Sequence, residues 1–147
     1  MSELRELYQQ VILDHNRKPR NFRRVPQPTQ RAEGHNPLCG DHVSVELRVE
    51  DGTIRDIAFQ GSGCAISKAS ASMMTGSLQG QTPADAEALF ERFRRMVTED
   101  GAEAEVLGKL VVFAGVREFP SRIKCATLPW HTAHAALAGQ AAPVTTE

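Results

Sequence analysis

Residues 43–60, VSVELRVEDGTIRDIAFQ, form the pattern from which the rest of the fold can be derived. Apolar residues alternate with polar ones in the first half, which is typical of a strand with one buried face. Asp51 and Gly52 then separate two strand-like runs, and such a pair favours a two-residue hairpin turn because both turn positions need positive φ. The sequence therefore predicts an antiparallel hairpin. Its buried positions on the first strand are Val43, Val45, Leu47 and Val49.

Two helices are predicted from periodicity and end signals. Residues 3–15 carry apolar side chains at i, i+3, i+4 and i+7, which predicts an amphipathic helix on a core. Residues 83–97 form a second apolar stripe that follows Thr82 and Pro83. A threonine cap with proline at the first helical position is a helix start signal, so we expect a helix over this range.

Three further segments are predicted to be helical. Residues 65–79 are rich in alanine and serine, and residues 123–138 form the last predicted helix. Pro129 cannot donate to the helix ladder, so this helix is expected either to begin near residue 127 or to kink. Residues 106–116 are strand-like by composition, but their apolar residues have helical spacing, and we predict a helix there.

The remaining segments lack strong periodicity. Residues 16–38 contain four prolines and six basic residues, which predicts an extended, mostly irregular arm. The arm is either a solvated loop or a docking surface for an acidic partner, and we favour the loop. Residues 139–147 are expected to fray. A chain of 147 residues is long enough for one core, so we predict a single domain spanning residues 1–147.

Composition excludes several functional classes. The net charge is −1, which provides no basic field for nucleic acid binding. No run of about 20 apolar residues indicates a membrane helix, and the polar start MSELRELYQQ does not resemble a signal peptide, so a cytoplasmic protein is expected. Three cysteines are an odd number for a disulfide framework, which favours reduced thiols, a metal or redox chemistry.

The hairpin brings candidate ligands together. If Asp51 and Gly52 form the turn, the simple antiparallel register places Cys39 opposite Cys64 at the open end, and Asp41 points to the same side as Cys39. Cys64 precedes a predicted helix, whose N-terminus favours a thiolate. Folding the last helix over the hairpin would add the third thiolate, from Cys125.

This set of three thiolates and one carboxylate fits a tetrahedral zinc ion and equally a [2Fe-2S] cluster. The total charge is −2 in either case, so charge does not separate the two. Arg122 and Lys124 lie beside Cys125, where they either offset that negative charge or form a generic basic turn.

Three motifs show a resemblance to a known family. They are Cys-Gly-Asp at 39–41, Gly-x-Gly-Cys-x-Ile-Ser at 61–67, and the third cysteine in FPSRIKCATLPW at 119–130. With the N-terminal stretch LYQQVILDHNRKPRN at 7–21, they resemble the SufU/IscU family of iron–sulfur cluster assembly proteins. The resemblance covers nearly the whole chain.

Within this family the chain looks closer to the SufU type. Lys124 stands where IscU-type scaffolds have a histidine, and the run Arg-Glu-Phe-Pro-Ser-Arg-Ile-Lys replaces their chaperone-binding Leu-Pro-Pro-Val-Lys motif. The longer stretch between the second and third cysteines, with its helix at 83–97, is also similar to SufU-type proteins.

The resemblance implies an α+β fold, in which helices pack on one face of a small antiparallel sheet of about three strands. It also implies a metal site, a pyridoxal-phosphate-dependent cysteine desulfurase as partner, and apo iron–sulfur proteins or downstream carriers as recipients. The implied metal ligands are Cys39, Asp41, Cys64 and Cys125.

We expect Cys39 to accept sulfur by attack of its thiolate on the terminal sulfur of a desulfurase persulfide. Cys39 lies in a glycine-flanked loop, and Asp41 is the ligand expected to exchange most easily. Whether this makes the chain a zinc-dependent sulfurtransferase or a non-enzymatic scaffold stays open.

Three other functions compete with sulfur acceptance. The first is a scaffold that assembles a [2Fe-2S] cluster on the same four residues. The second is a domain whose zinc supports only the fold, since sites with three cysteine ligands are commonly structural. The third, which we rank far below these, is a hydrolase using Cys64 with His42 or His35.

Overall fold

The computed structural model describes residues 2–37, 40–98, 108–139 and 143–145. Helices pack on a mixed β-sheet whose strand order is β3-β2-β1-β4. In chain order the elements are α1 (Ser2–Arg17), β1 (Gln30–Asn36), β2 (Asp41–Glu50), β3 (Thr53–Ser62), α2 (Ala65–Leu78), α3 (Pro83–Thr98), a 3-10 helix (Gly108–Glu118), α4 (Pro120–Leu137) and β4 (Val144–Thr145). The predicted α+β class is confirmed.

The predicted hairpin is present. Strands β2 and β3 pair antiparallel, and they are joined by Asp51 and Gly52, whose φ angles are 53° and 73°. Positive φ at both positions matches the right-handed twist of the two strands, which is the physical reason for the Asp-Gly signal.

The register of the hairpin differs from the prediction. A β-bulge between Arg48 and Val49 shifts the pairing by one residue. From Arg48 back to His42, each residue of β2 therefore faces the residue of β3 that is one number higher than the simple register predicts. The ladder that leads toward Cys39 and Cys64 is therefore shifted by one residue from the simple register, and the placement of Cys39 near Cys64 stays a prediction. Cys39 itself lies outside the described residues.

The second half of the predicted irregular arm is a strand. β1 pairs antiparallel with β2, and its core-facing residues Ala32, Gly34 and Asn36 are buried. Because these residues are small or polar, the segment shows no apolar alternation, and the prediction of an irregular arm over residues 30–36 is wrong. The pairing with β2 forms the strand where local propensity would not.

The tail also contributes to the sheet. Val144 and Thr145 pair parallel with β1, so the predicted fraying is wrong for these two residues. The sheet consequently has four strands and is mixed, whereas about three antiparallel strands were expected.

The first half of the arm runs along the free edge of β3. Asn21 and Arg23 exchange backbone hydrogen bonds with Phe59, at 3.0 and 3.1 Å. Arg23 pairs with Asp56 at 2.8 Å, and the guanidinium of Arg24 lies 3.1 Å from the Glu46 carboxylate. Both arginines are therefore paired with acidic residues of the same chain, which favours a structural role for this part of the arm over a docking surface.

The predicted helices agree closely with the structure. α1, α2 and α3 occupy the expected ranges, and the Thr82 side chain accepts a hydrogen bond from the Asp85 N–H at 3.1 Å, as a helix cap does. Residues 108–118 are helical but form a 3-10 helix, and the first two residues of that prediction lie outside the described part of the chain.

The last helix begins at Pro120, three residues before the predicted start at residue 123, so the alternative of a start near residue 127 is wrong. Proline is favourable at the first helical position because its missing N–H would have no partner there. Pro129 then lies inside the helix.

The core lies between the sheet and helices α2 and α4. Val45, Leu47 and Ile57 of the hairpin are fully buried there. At Gly34 of β1, a Cβ atom would collide with the Thr132 side chain, so this glycine lets α4 pack closely against the strand. That close approach brings the start of α4 to the open end of the hairpin. Within the described ranges, the helices are too short or too polar to cross a membrane.

Candidate metal centre

Three elements place a metal-binding group at the open end of the hairpin. Asp41 is the first residue of β2, Cys64 immediately precedes α2, and Cys125 lies within α4. One carboxylate oxygen and the two sulfur atoms all lie within 4.8 Å of one another. Among the described residues, this is the one group of three or more potential ligands with such spacing.

The Asp41 carboxylate is held at both oxygens. Oδ1 accepts a hydrogen bond from the Cys64 backbone N–H at 2.8 Å, and Oδ2 accepts one from the Asn36 amide at 3.4 Å. Asp41 is 2% exposed, and two donors compensate for part of the cost of burying its charge. Gly63 makes this possible, because a Cβ there would lie 2.5 Å from Oδ1.

Cys64 is an activated thiol. It is the N-cap of α2, and its sulfur accepts a hydrogen bond from the Ser67 N–H at 3.4 Å. A hydrogen bond from the Cys125 thiol, together with the N–H groups of Ser67 and Ile66, lowers the pKa of Cys64 to about 6, although burial and Asp41 oppose the shift. A cysteine with this pKa is a thiolate at neutral pH, the form that binds metals and attacks sulfur.

Cys125 is enclosed. It is 0% exposed, and the Asn36 amide lies 3.5 Å from its sulfur. Pro129 has no N–H, so the Cys125 carbonyl does not receive the usual helix hydrogen bond from four residues ahead. The enclosed sulfur suits a ligand better than a group that must meet a partner protein.

The Cys64 pKa gives a testable expectation for the metal-free protein. Alkylation by iodoacetamide should map to Cys64 before Cys125, because Cys64 is half-buried and largely ionised whereas Cys125 is fully buried. The Cys64 rate should be nearly flat above pH 7 and should fall as the pH drops through about 6, since the depressed pKa keeps the thiolate populated down to that pH. Peptide mapping after timed alkylation measures this. A Cys64 rate that still rises steeply above pH 8 would contradict the environment described.

The donor set fits a zinc ion. Zinc bonds of about 2.0 to 2.3 Å in a tetrahedron hold neighbouring donor atoms roughly 3.3 to 3.8 Å apart. Donor atoms within 4.8 Å of one another can reach this spacing by small side-chain movements. Zinc is a borderline-soft ion that binds both thiolate sulfurs and carboxylate oxygens, and cysteine sulfurs also suit iron in a cluster.

Of the four predicted ligands, the structure brings together Asp41, Cys64 and Cys125, while Cys39 falls outside the described residues. Sequence reasoning missed Asn36 and the role of Gly63. Asn36 directly faces Asp41 in the β1–β2 pairing, so it could have been found only if β1 had been recognised.

The histidines have other contacts. The His35 and His42 rings contact each other in a tilted arrangement, with 4.6 Å between their centroids, and within the described residues neither forms a hydrogen bond with Cys64. His131 and His134 pack on the Phe90 ring of α3. None of these contacts supports the proposed cysteine hydrolase.

Beside Cys125, Arg122 is exposed and Lys124 is half-buried, so positive charge borders the buried site. That these residues offset the charge of the anionic ligands stays a prediction.

Comparison with known proteins gives consistent results. Residues 7–126 match the NifU-like N-terminal domain. The chain is 41% identical to the iron–sulfur cluster assembly scaffold protein IscU of Streptococcus pyogenes, over 89% of this chain and 82% of that protein. It is 38% identical to the zinc-dependent sulfurtransferase SufU of Bacillus subtilis, over 88% of each.

A solved structure from Fervidobacterium islandicum, described as a scaffold candidate for iron–sulfur cluster assembly in the SUF system, is also similar. It superposes with a TM-score of 0.83 at 31% identity, and the match covers 87% of this chain and 94% of that one.

Proposed function

Because the chain belongs to the SufU/IscU family of iron–sulfur cluster assembly proteins, we propose that it accepts persulfide sulfur at a metal site and passes on sulfur or a nascent cluster. The proposed ligands are Cys39, Asp41, Cys64 and Cys125. The observation that carries the proposal is the convergence of a carboxylate oxygen and two sulfurs within 4.8 Å at the N-terminus of α2.

Zinc is the proposed resident ion. When bound, zinc would hold the cysteines as thiolates at neutral pH and protect them from oxidation. Without zinc, contacts within the chain already favour the ionised and oriented forms of two ligands. The Cys64 thiolate is favoured by the helix N-terminus, and hydrogen bonds orient the Asp41 carboxylate.

Sulfur transfer proceeds by displacement at sulfur. The Cys39 thiolate attacks the outer sulfur of a donor persulfide, a new S–S bond forms at Cys39, and the S–S bond of the donor breaks. The donor cysteine leaves as a thiolate, and the proton of the persulfide stays on the transferred sulfur. No external oxidant or reductant is needed, because one persulfide is exchanged for another.

We assign the acceptor role to Cys39. Cys125 is fully buried, so a protein-bound persulfide cannot reach it without a rearrangement of α4. Cys64 is half-buried, and its sulfur already accepts the Ser67 N–H. In the sequence, Cys39 falls between the end of β1 and the start of β2, next to Gly40, whose positive φ of 71° a side chain rarely adopts.

The proposed partners follow from this chemistry. A pyridoxal-phosphate-dependent cysteine desulfurase produces a protein-bound persulfide, which is the donor that the displacement requires. Apo iron–sulfur proteins or downstream carriers would take the product.

Sulfur loading tests the proposal. The chain is purified without chelator, its zinc content is measured, and it is incubated with a SufS-type desulfurase and cysteine. We expect about one zinc per chain and a mass increase of one sulfur atom, which a reductant removes. An active desulfurase that leaves the chain unmodified would contradict sulfur acceptance. If the desulfurase rate is also unchanged by the chain, a purely structural zinc is the better interpretation.

A second candidate function is a scaffold for a [2Fe-2S] cluster, with iron and sulfide as its substrates. The 41% identity to a protein named as an IscU scaffold favours it, and the same three donor atoms could ligate iron. Anaerobic reconstitution with iron and sulfide separates the two. A stable visible absorption spectrum of a cluster supports the scaffold, and retention of zinc without such a spectrum supports the sulfur acceptor.

A further inference from the structure

Asn36 is the last residue of β1 and the inner neighbour of the candidate metal centre. It is 0% exposed and pairs with Asp41 across the β1–β2 ladder. Its Nδ2 atom lies 3.4 Å from Oδ2 of Asp41 and 3.5 Å from the sulfur of Cys125. One buried amide therefore contacts two groups that come from different parts of the fold, a strand and the last helix.

The orientation of the Asn36 amide favours anions. Both contacts use its N–H donors, whereas its Oδ1 is buried and accepts no hydrogen bond from the described residues. The opposite orientation would turn Oδ1 toward the Asp41 carboxylate, where two acceptors would repel. The side chain thus leaves its own acceptor unsatisfied so that its donors can face the carboxylate and the sulfur.

These contacts complement those made by α2. The Cys64 N–H already holds Oδ1 of Asp41, and the Ser67 N–H holds the Cys64 sulfur. For Cys125, Asn36 supplies a hydrogen bond to the sulfur from a strand of the sheet. Asn36 is therefore placed to determine where Cys125 and Asp41 lie relative to each other.

We propose that Asn36 is a positioning residue, whose buried amide holds Asp41 and Cys125 in the arrangement that binds the metal. The inference rests on the metal site proposed above and extends it by naming the residue that orients two ligands without binding the ion. Residues that orient metal ligands through hydrogen bonds typically change metal affinity about 10- to 100-fold when they are removed.

The test compares two amides on the same strand. Asn36→Leu keeps the branched shape of the side chain but removes the donor at the site. Gln30→Leu is the control, because the Gln30 side chain donates to the carbonyls of Ala136 and Leu137 at the far end of β1 and α4, away from the ligands. Zinc affinity is measured by competition with a chromophoric chelator, and the unfolding temperature of the metal-free proteins is measured in parallel. Asn36→Ala serves as a second variant if Asn36→Leu does not fold.

We expect Asn36→Leu or Asn36→Ala to bind zinc about 10- to 100-fold more weakly, and Gln30→Leu to bind within about threefold of the unaltered chain. Cobalt(II) in place of zinc adds a spectroscopic readout, since the sulfur-to-cobalt charge-transfer band should weaken in the Asn36 variants as Cys125 loses its place. Unchanged affinity in the Asn36 variants, or equal losses in both sets of variants, would overturn the inference. If the unaltered chain binds no zinc, the proposed metal site itself is wrong. If the unaltered chain and the Asn36 variants bind zinc equally well, only the role of Asn36 is wrong.

Discussion

Cys39→Ser is expected to reduce sulfur loading of the chain by more than about 100-fold, to the background level of the desulfurase assay. A serine hydroxyl remains protonated at neutral pH and does not attack a persulfide, so the displacement has no nucleophile. Loading is measured under single-turnover conditions by intact mass after quenching. Metal binding should persist at reduced affinity, because Asp41, Cys64 and Cys125 remain.

Cys125→Ser tests whether the cysteine that accepts sulfur differs from the buried cysteine that binds the metal. It removes a fully buried sulfur from the site but leaves Cys39 in place, so it should lower zinc affinity while the chain still acquires sulfur. If Cys39→Ser loads at the normal rate, peptide mapping should locate the sulfur, and Cys64 is the alternative because its thiolate is favoured at neutral pH. That result would transfer the acceptor role from the loop to the start of α2.

Gly63→Ala is expected to weaken zinc binding at least about 10-fold, although it adds only one methyl group. A Cβ at Gly63 would lie 2.5 Å from Oδ1 of Asp41, closer than real Cβ atoms approach, and 3.1 Å from its Cγ. The carboxylate must therefore move, and it would lose the hydrogen bond from the Cys64 N–H. Zinc competition and the unfolding temperature are the measurements.

Gly76→Ala is the matched control for this substitution. Gly76 lies in α2, and a Cβ there would meet nothing within 4 Å. Alanine in a helix interior is favoured over glycine by roughly 0.5 to 1 kcal/mol, so this variant should be slightly more stable and should bind zinc normally. If both variants bind zinc equally well, Asp41 is either not a ligand or not held as described.

The ligands of the site could be predicted from the sequence, but the contacts that hold those ligands in place could not. The Cys-Gly-Asp and Gly-x-Gly-Cys motifs and the third cysteine identify Asp41, Cys64 and Cys125, and the structure brings these together. The residue that connects two of them, Asn36, was hidden because its strand carries small and polar residues on its buried face. Its contacts arise from pairing with β2 and from the approach of α4, which no local pattern encodes.

In the fold, too, local features could be predicted, whereas features that depend on distant segments could not. The Asp51–Gly52 turn, the Thr82 cap and the helices α1 to α3 could be predicted because each depends on interactions within a few residues of chain. The one-residue bulge before Val49, strand β1 and the pairing of Val144 with Gly34 were decided by tertiary structure. These features depend on how distant segments pack, and a bulge or a polar strand is stabilised by its neighbours rather than by its own side chains.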